Sequence, residues 1–122
     1  MSTRTNIITN AIVNYLNLKG FNAWRQNNGG VYDPTLKVFR KKGKNEKQGV
    51  SDVIGYCKKT ARFIAVEVKY GKDDLSPEQE LFLKDVNKAG GIGIMVKSTD
   101  DFIKQFETVN KNISQNVCTL KK

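Results

Sequence analysis

The sequence predicts an α/β fold: a mixed sheet flanked by helices, in the order α-β-β-β-α-β-α. Three observations predict it. Apolar residues recur at helical spacing near the start, through Ile8, Ile12, Tyr15 and Leu16. Two β-branched runs, residues 51–57 and 62–70, lie one hairpin apart across Lys58-Lys59-Thr60. A helix pattern and a further apolar run follow them, which implies a strand–helix–strand unit with parallel pairing. A chain of 122 residues holds one core. Residues 1–107 are expected to form the domain and residues 108–122 a polar, basic tail.

The first helix is expected over residues 3–19, with Gly20 as its stop. Residues 21–27 read as a strand that alternates Phe21, Ala23 and Arg25 with Asn22, Trp24 and Gln26. Trp24 is expected in the core rather than as a base-stacking platform. Arg25 falls near the strand end, either as a phosphate contact or as a solvent-exposed arginine. Asn28-Gly29-Gly30 breaks the strand.

Residues 29–49 are the least regular segment. Lys37, Arg40, Lys41, Lys42, Lys44 and Lys47 stand there against Asp33 and Glu46, and Val38-Phe39 suggests a short strand. Two readings are open: a flexible flap that grips DNA backbone, or a solvated charge run.

After the hairpin, Gly71-Lys72-Asp73-Asp74 is a turn. Ser76-Pro77-Glu78-Gln79 has the pattern of a capping box, with proline at the first helical position. Leu75, Phe82, Val86 and Ala89 are expected to face inward, and Lys84 and Lys88 outward. Gly90-Gly91 ends the helix, and Ile92 to Val96 reads as a buried strand. Ser98-Thr99-Asp100-Asp101 caps a last helix that turns Phe102, Ile103 and Phe106 inward. Asp100 and Asp101 are capping residues, not ligands.

Lysine and arginine number 21 against 12 acidic residues, a formal net charge of +9. That balance calls for a polyanionic partner, most simply nucleic acid. No apolar run approaches the roughly 18 residues of a membrane span, and no signal-peptide core opens the chain. No basic amphipathic helix or lipidation signal points to a membrane surface. Cys57 and Cys118 are too few for a disulfide framework or a zinc site, so Cys57 is expected as a small core residue in a reducing, cytoplasmic compartment. The absence of histidine excludes histidine catalysis and histidine ligands. No small-molecule cofactor is expected.

The stretch that carries chemistry is Gly49 to Lys69. Strand alternation puts Glu67 and Lys69 on one face and Val66, Val68 and Tyr70 on the other. Asp52 comes from the neighbouring strand. Two carboxylates suit Mg²⁺, a hard cation that prefers oxygen ligands. Such a metal acidifies a bound water and neutralises charge at phosphorus, and a lysine beside it stabilises the phosphate. The plain alternative is a cross-strand salt bridge on a solvated sheet face.

Asp52 followed by Glu67-Val68-Lys69 resembles the PD-(D/E)xK nuclease core, with Ser51-Asp52 in place of Pro-Asp. Leu75-Ser76-Pro77-Glu78-Gln79 after it, and Arg25-Gln26-Asn27-Asn28-Gly29 before it, resemble the VRR-NUC branch, whose stand-alone members are often phage-encoded. The resemblance covers roughly residues 6–106. It implies a restriction-endonuclease-like fold, dependence on Mg²⁺ (with Mn²⁺ as substitute) and DNA substrates, including junction-like DNA. It implies metal ligation by Asp52, Glu67 and the Val68 carbonyl, and catalysis by Asp52, Glu67, Lys69 and Gln79. Arg25, Asn27, Lys37, Arg40, Lys41, Lys42, Lys44 and Lys47 become the expected nucleic-acid contacts, and a homodimer is the expected assembly. The first helix of the family often supplies a glutamate to the metal site. Here Asn6 is the nearest group by position. A non-catalytic DNA-binding module on the same fold is the second reading.

Overall fold

Helix α1 (Thr3–Leu18) forms where the apolar spacing places it. Ile12 and Leu16 are fully buried, and Thr9, also buried, donates its hydroxyl to the Thr5 carbonyl at 2.6 Å. Gly20 ends the helix at φ 97°, a left-handed conformation that glycine adopts without steric cost. The structure is a computed structural model that describes residues 3–26, 31–40, 47 and 49–112.

Six strands and two more helices follow: β1 (Phe21–Arg25), β2 (Val31–Asp33), β3 (Val38–Arg40), β4 (Val53–Cys57), β5 (Phe63–Val68), α2 (Pro77–Lys88), β6 (Ile92–Val96) and α3 (Thr99–Asn112). The main sheet has the order β1-β4-β5-β6. β1 and β5 each pair antiparallel with β4, and β6 pairs parallel with β5. The mixed sheet, its central hairpin and the α-β-β-β-α-β-α order are those the sequence predicts. The addition is a separate antiparallel hairpin of β2 and β3, in which β3 falls where Val38-Phe39 suggests a short strand. Gly55 lets β1 approach β4 closely, because a Cβ there would lie 2.4 Å from the Asn22 carbonyl oxygen.

Each sheet face has its own cover. α1 and α3 lie over one face, where Phe21, Val53, Ile64, Val66, Val96, Phe102 and Phe106 close the core. Phe102 and Phe106 stack at 5.5 Å, Tyr15 meets both edge-on, and Phe21 meets Phe106 edge-on. Such ring pairs add about 0.5–1.5 kcal/mol each beyond the area they bury. α2 covers only β5 and β6 on the opposite face. Its inward residues are Leu83 and Val86, with Phe82 partly buried. Leu83 takes the place expected of Ala89, which is exposed as the C-cap. Position 89 lies past the last helical residue, Lys88, where the chain leaves the helix.

An asparagine amide closes each outer edge of the sheet. Asn17 donates to the Ala23 carbonyl at 3.0 Å and accepts from the Ala23 amide at 3.3 Å on β1. Asn87 does the same for Gly93 on β6, at 2.9 and 2.8 Å. Cys57 is buried as expected, but its sulfur is disulfide-bonded rather than a plain core thiol. α3 runs through Asn112, beyond the expected start of the tail at 108. No helix among the described residues is long and apolar enough to cross a membrane.

Candidate active site

The α2 face of the sheet carries the acidic cluster. Glu67 sits in the middle of an otherwise apolar strand, 2% exposed, and alternation with Ala65 aims it toward α2. Asp52 precedes β4 beside it. Its Oδ2 accepts the Val68 amide at 2.9 Å, so the carboxylate continues the ladder where β4 begins. Lys69 follows β5 directly, with Nζ 3.8 Å from Glu67 Oε2.

Gln79 arrives from the first turn of α2. Its Nε2 donates to Glu67 Oε2 at 3.1 Å. Its Oε1 accepts the Ser76 amide at 2.9 Å, and its own amide donates to Ser76 Oγ at 3.2 Å. The one side chain thus caps the helix and contacts Glu67 at once, because its amide has two ends. Gly49 makes room for the turn. At φ 76° it is left-handed, and a Cβ there would meet the backbone of Glu78 at 2.5 Å and of Gln79 at 2.8 Å. The capping-box pattern showed Gln79, but only the backbone contact reveals the part played by Gly49.

Glu67 has two unlike carboxylate oxygens. Oε2 has Gln79 and Lys69. Oε1 is buried with no hydrogen-bond partner among the described residues. Burial, and then the neighbouring Asp52 charge, push the Glu67 carboxyl up to about 8, while Lys69 and Ser51 pull the other way. A buried carboxylate oxygen without a donor is costly to an empty fold and suits a cation. Asp52 and Glu67 are hard oxygen donors of the kind divalent cations prefer. Among the described residues no group of three or more His, Cys, Asp or Glu is placed to hold a metal.

The remaining expected residues lie elsewhere. Arg25 is exposed at the end of β1, on the α1 side, away from the carboxylates. Its guanidinium donates to Asn6 Oδ1 at 2.8 Å and Asn10 Oδ1 at 3.2 Å. Asn6 is therefore engaged with Arg25 and does not complete the carboxylate pair. Lys37 is exposed in the turn between β2 and β3 at φ 57°, Arg40 ends β3, and Lys47 is exposed. Asn27, Lys41, Lys42 and Lys44 lie outside the described residues. Trp24 departs from expectation. It is 41% exposed, because α2 stops short of the half of the face it occupies.

Two acidic residues from adjacent antiparallel strands, with a lysine two positions after the second, meet on this sheet in the order the sequence leads one to expect. The family model described as VRR-NUC domain matches residues 12–100, and the chain belongs to that family, within the PD-(D/E)xK superfamily. A nuclease-type, DNA-processing function follows from that membership. No curated protein shows significant similarity to the chain.

Proposed function

We propose that the protein is a Mg²⁺-dependent DNA endonuclease that hydrolyses phosphodiester bonds at branched, junction-like DNA. The observation that carries the reading is Glu67. A carboxylate sits almost fully buried beside a second one, with one oxygen oriented by Gln79 and the other free of donors among the described residues. Asp52, Glu67 and the Val68 carbonyl would hold the metal, which supplies an acidified water and neutralises charge at phosphorus.

The chain's own groups do the rest. Gln79 fixes the rotamer of Glu67, and Lys69 balances its charge and reaches toward the phosphate. Asp52, tied to the Val68 amide, holds its position without needing the metal first. Arg25, held by two α1 amides, offers a guanidinium to the DNA backbone from the same end of the sheet. Cutting both strands of a symmetric substrate with one site per chain requires two copies, so we propose a homodimer.

The deciding assay is cleavage of a labelled four-way junction and a matched duplex with Mg²⁺, Mn²⁺ or chelator. Metal-dependent cutting at paired junction sites is expected, with Glu67→Ala and Lys69→Ala inactive but still able to bind. The lack of a third metal-ligating side chain among the described residues favours one second reading, a DNA-binding module without catalysis. On that reading no metal supports cutting, and Glu67→Ala leaves binding equal or tighter.

A further inference from the structure

On the α2 side of the sheet, the half formed by β1 and β4 has no helix over it among the described residues. Two aromatic residues emerge there, Trp24 at 41% and Tyr56 at 40% exposure, and Phe63 at the start of β5 borders them at 37%. Strand register makes them neighbours. Trp24 pairs with Ile54, and Tyr56 pairs with Asn22 and Phe63. Trp24 and Tyr56 meet edge-to-face at 6.5 Å. Their polar atoms are tethered, Tyr56 by the Asn22 amide at 3.1 Å and Trp24 to Gln26 at 3.4 Å. The rings are thus oriented, with apolar surface left to solvent.

This shelf is continuous with the carboxylate pair. Asp52, Ile54 and Tyr56 alternate onto the same face, and Trp24 stands one strand over and two residues along from Asp52, about 8 Å away at strand spacings. At the far end, the exposed Lys58 and Lys59 of the hairpin turn close the shelf with positive charge. Flat oriented rings between a cationic end and a nuclease site match a ligand with stacking faces on an anionic backbone.

We propose that this shelf binds an unpaired segment of the DNA substrate, with bases stacked on Trp24 and Tyr56 and the backbone running from Lys58–Lys59 toward Asp52 and Glu67. The inference rests on the DNA-processing reading and specifies its substrate: a strand with unpaired bases next to the scissile phosphate. A duplex keeps its bases stacked on one another and offers the rings nothing.

Trp24 is the only tryptophan in the chain, so its emission reports on the shelf directly. Titrations in chelator use oligothymidylate, a duplex with a single-stranded overhang, and a blunt duplex. The first two are expected to quench Trp24 saturably and shield it from acrylamide, while the blunt duplex does neither. Trp24→Ala should weaken overhang binding about 5- to 150-fold, as loss of one stacked base implies. It should leave blunt-duplex binding unchanged, and Trp24→Phe should recover most of the loss. Equal weakening toward both DNAs, or a Trp24 that stays accessible under saturating overhang DNA, would overturn the proposal. So would conversion of a dimer to a monomer by Trp24→Ala with DNA binding intact, which would assign the shelf to a second copy. Cleavage separates the two readings. Quenching without metal-dependent cutting by the unaltered chain sinks the nuclease and keeps the shelf, and cutting without the quenching pattern does the reverse.

Discussion

Replacing Glu67 with glutamine keeps the shape of the side chain and removes its titration. In the fold this carboxyl is pushed from 4.5 to about 8, by burial first and by Asp52 second, with Lys69 opposing. A raised carboxyl is protonated in the folded state where it is ionised in the unfolded state. The fold then binds the extra proton, so stability is full below about 4.5 and is lost as pH rises through about 8. At about 1.4 kcal/mol per pH unit, ionisation across that interval costs on the order of 5 kcal/mol. Comparing about pH 5.5 with about pH 8.5 samples roughly 3 kcal/mol of it. Glu67→Gln escapes this cost.

Thermal unfolding followed by circular dichroism, in chelator, reads the difference. The variant should melt close to the wild type at the lower pH and on the order of 10 °C above it at the higher pH. Adding a divalent cation should raise the wild-type melting temperature and not that of the variant. Parallel melting curves across pH would refute the burial argument, and a variant less stable at the higher pH would reverse its sign.

Further outcomes follow from the same geometry. Gln79→Glu keeps a residue able to close the capping box but sets a carboxylate against Glu67, so melting should change little while cleavage falls sharply. Gly49→Ala places a methyl group against the first turn of α2 and forces a left-handed alanine, which should cost about 1–3 kcal/mol in denaturant unfolding. The double variant Asn6→Ala/Asn10→Ala removes two amide acceptors of Arg25. Its affinity for DNA should drop and its log–log salt slope should shrink by up to about 0.9. Leu83→Ala, beneath α2, should cost about 2–5 kcal/mol and loosen Gln79 with it, seen as lower cleavage at unchanged blunt-duplex affinity.

The hairpin and its acidic pair were legible because strand alternation is local. Glu67 and Lys69 share a face whatever lies around them, and the β-branched runs mark both strands. Burial of Val66 and Val68 followed from the same period. Trp24 was not legible. Alternation assigns it to a face, but whether a helix covers that part of the face depends on where α2 lands. Leu83 was missed because the inward stripe of α2 widens from Phe82 onto its neighbour, while Ala89 falls at the C-cap past the last helical residue. Gln79 was legible both as a capping residue and, by resemblance, as a site residue, and the hydrogen bonds show one end of the amide turned to Ser76 and the other to Glu67. Asn6 pairs with Arg25 across 19 positions, a contact no local pattern announces.

The two asparagines at the sheet edges bear on how this chain meets copies of itself. Open edges invite strand addition, and a chain with a half-bare sheet face is exposed to it during synthesis and at high concentration. Asn17 and Asn87 each spend a donor and an acceptor in imitation of the missing neighbour strand, one on β1 and one on β6. A fifth strand from another molecule would first have to evict a side chain already making both bonds at those positions. Pairs of this protein are thereby steered toward contacts through helices or flat surfaces, and open-ended ribbons of sheet are discouraged by two amide groups rather than by charge or proline.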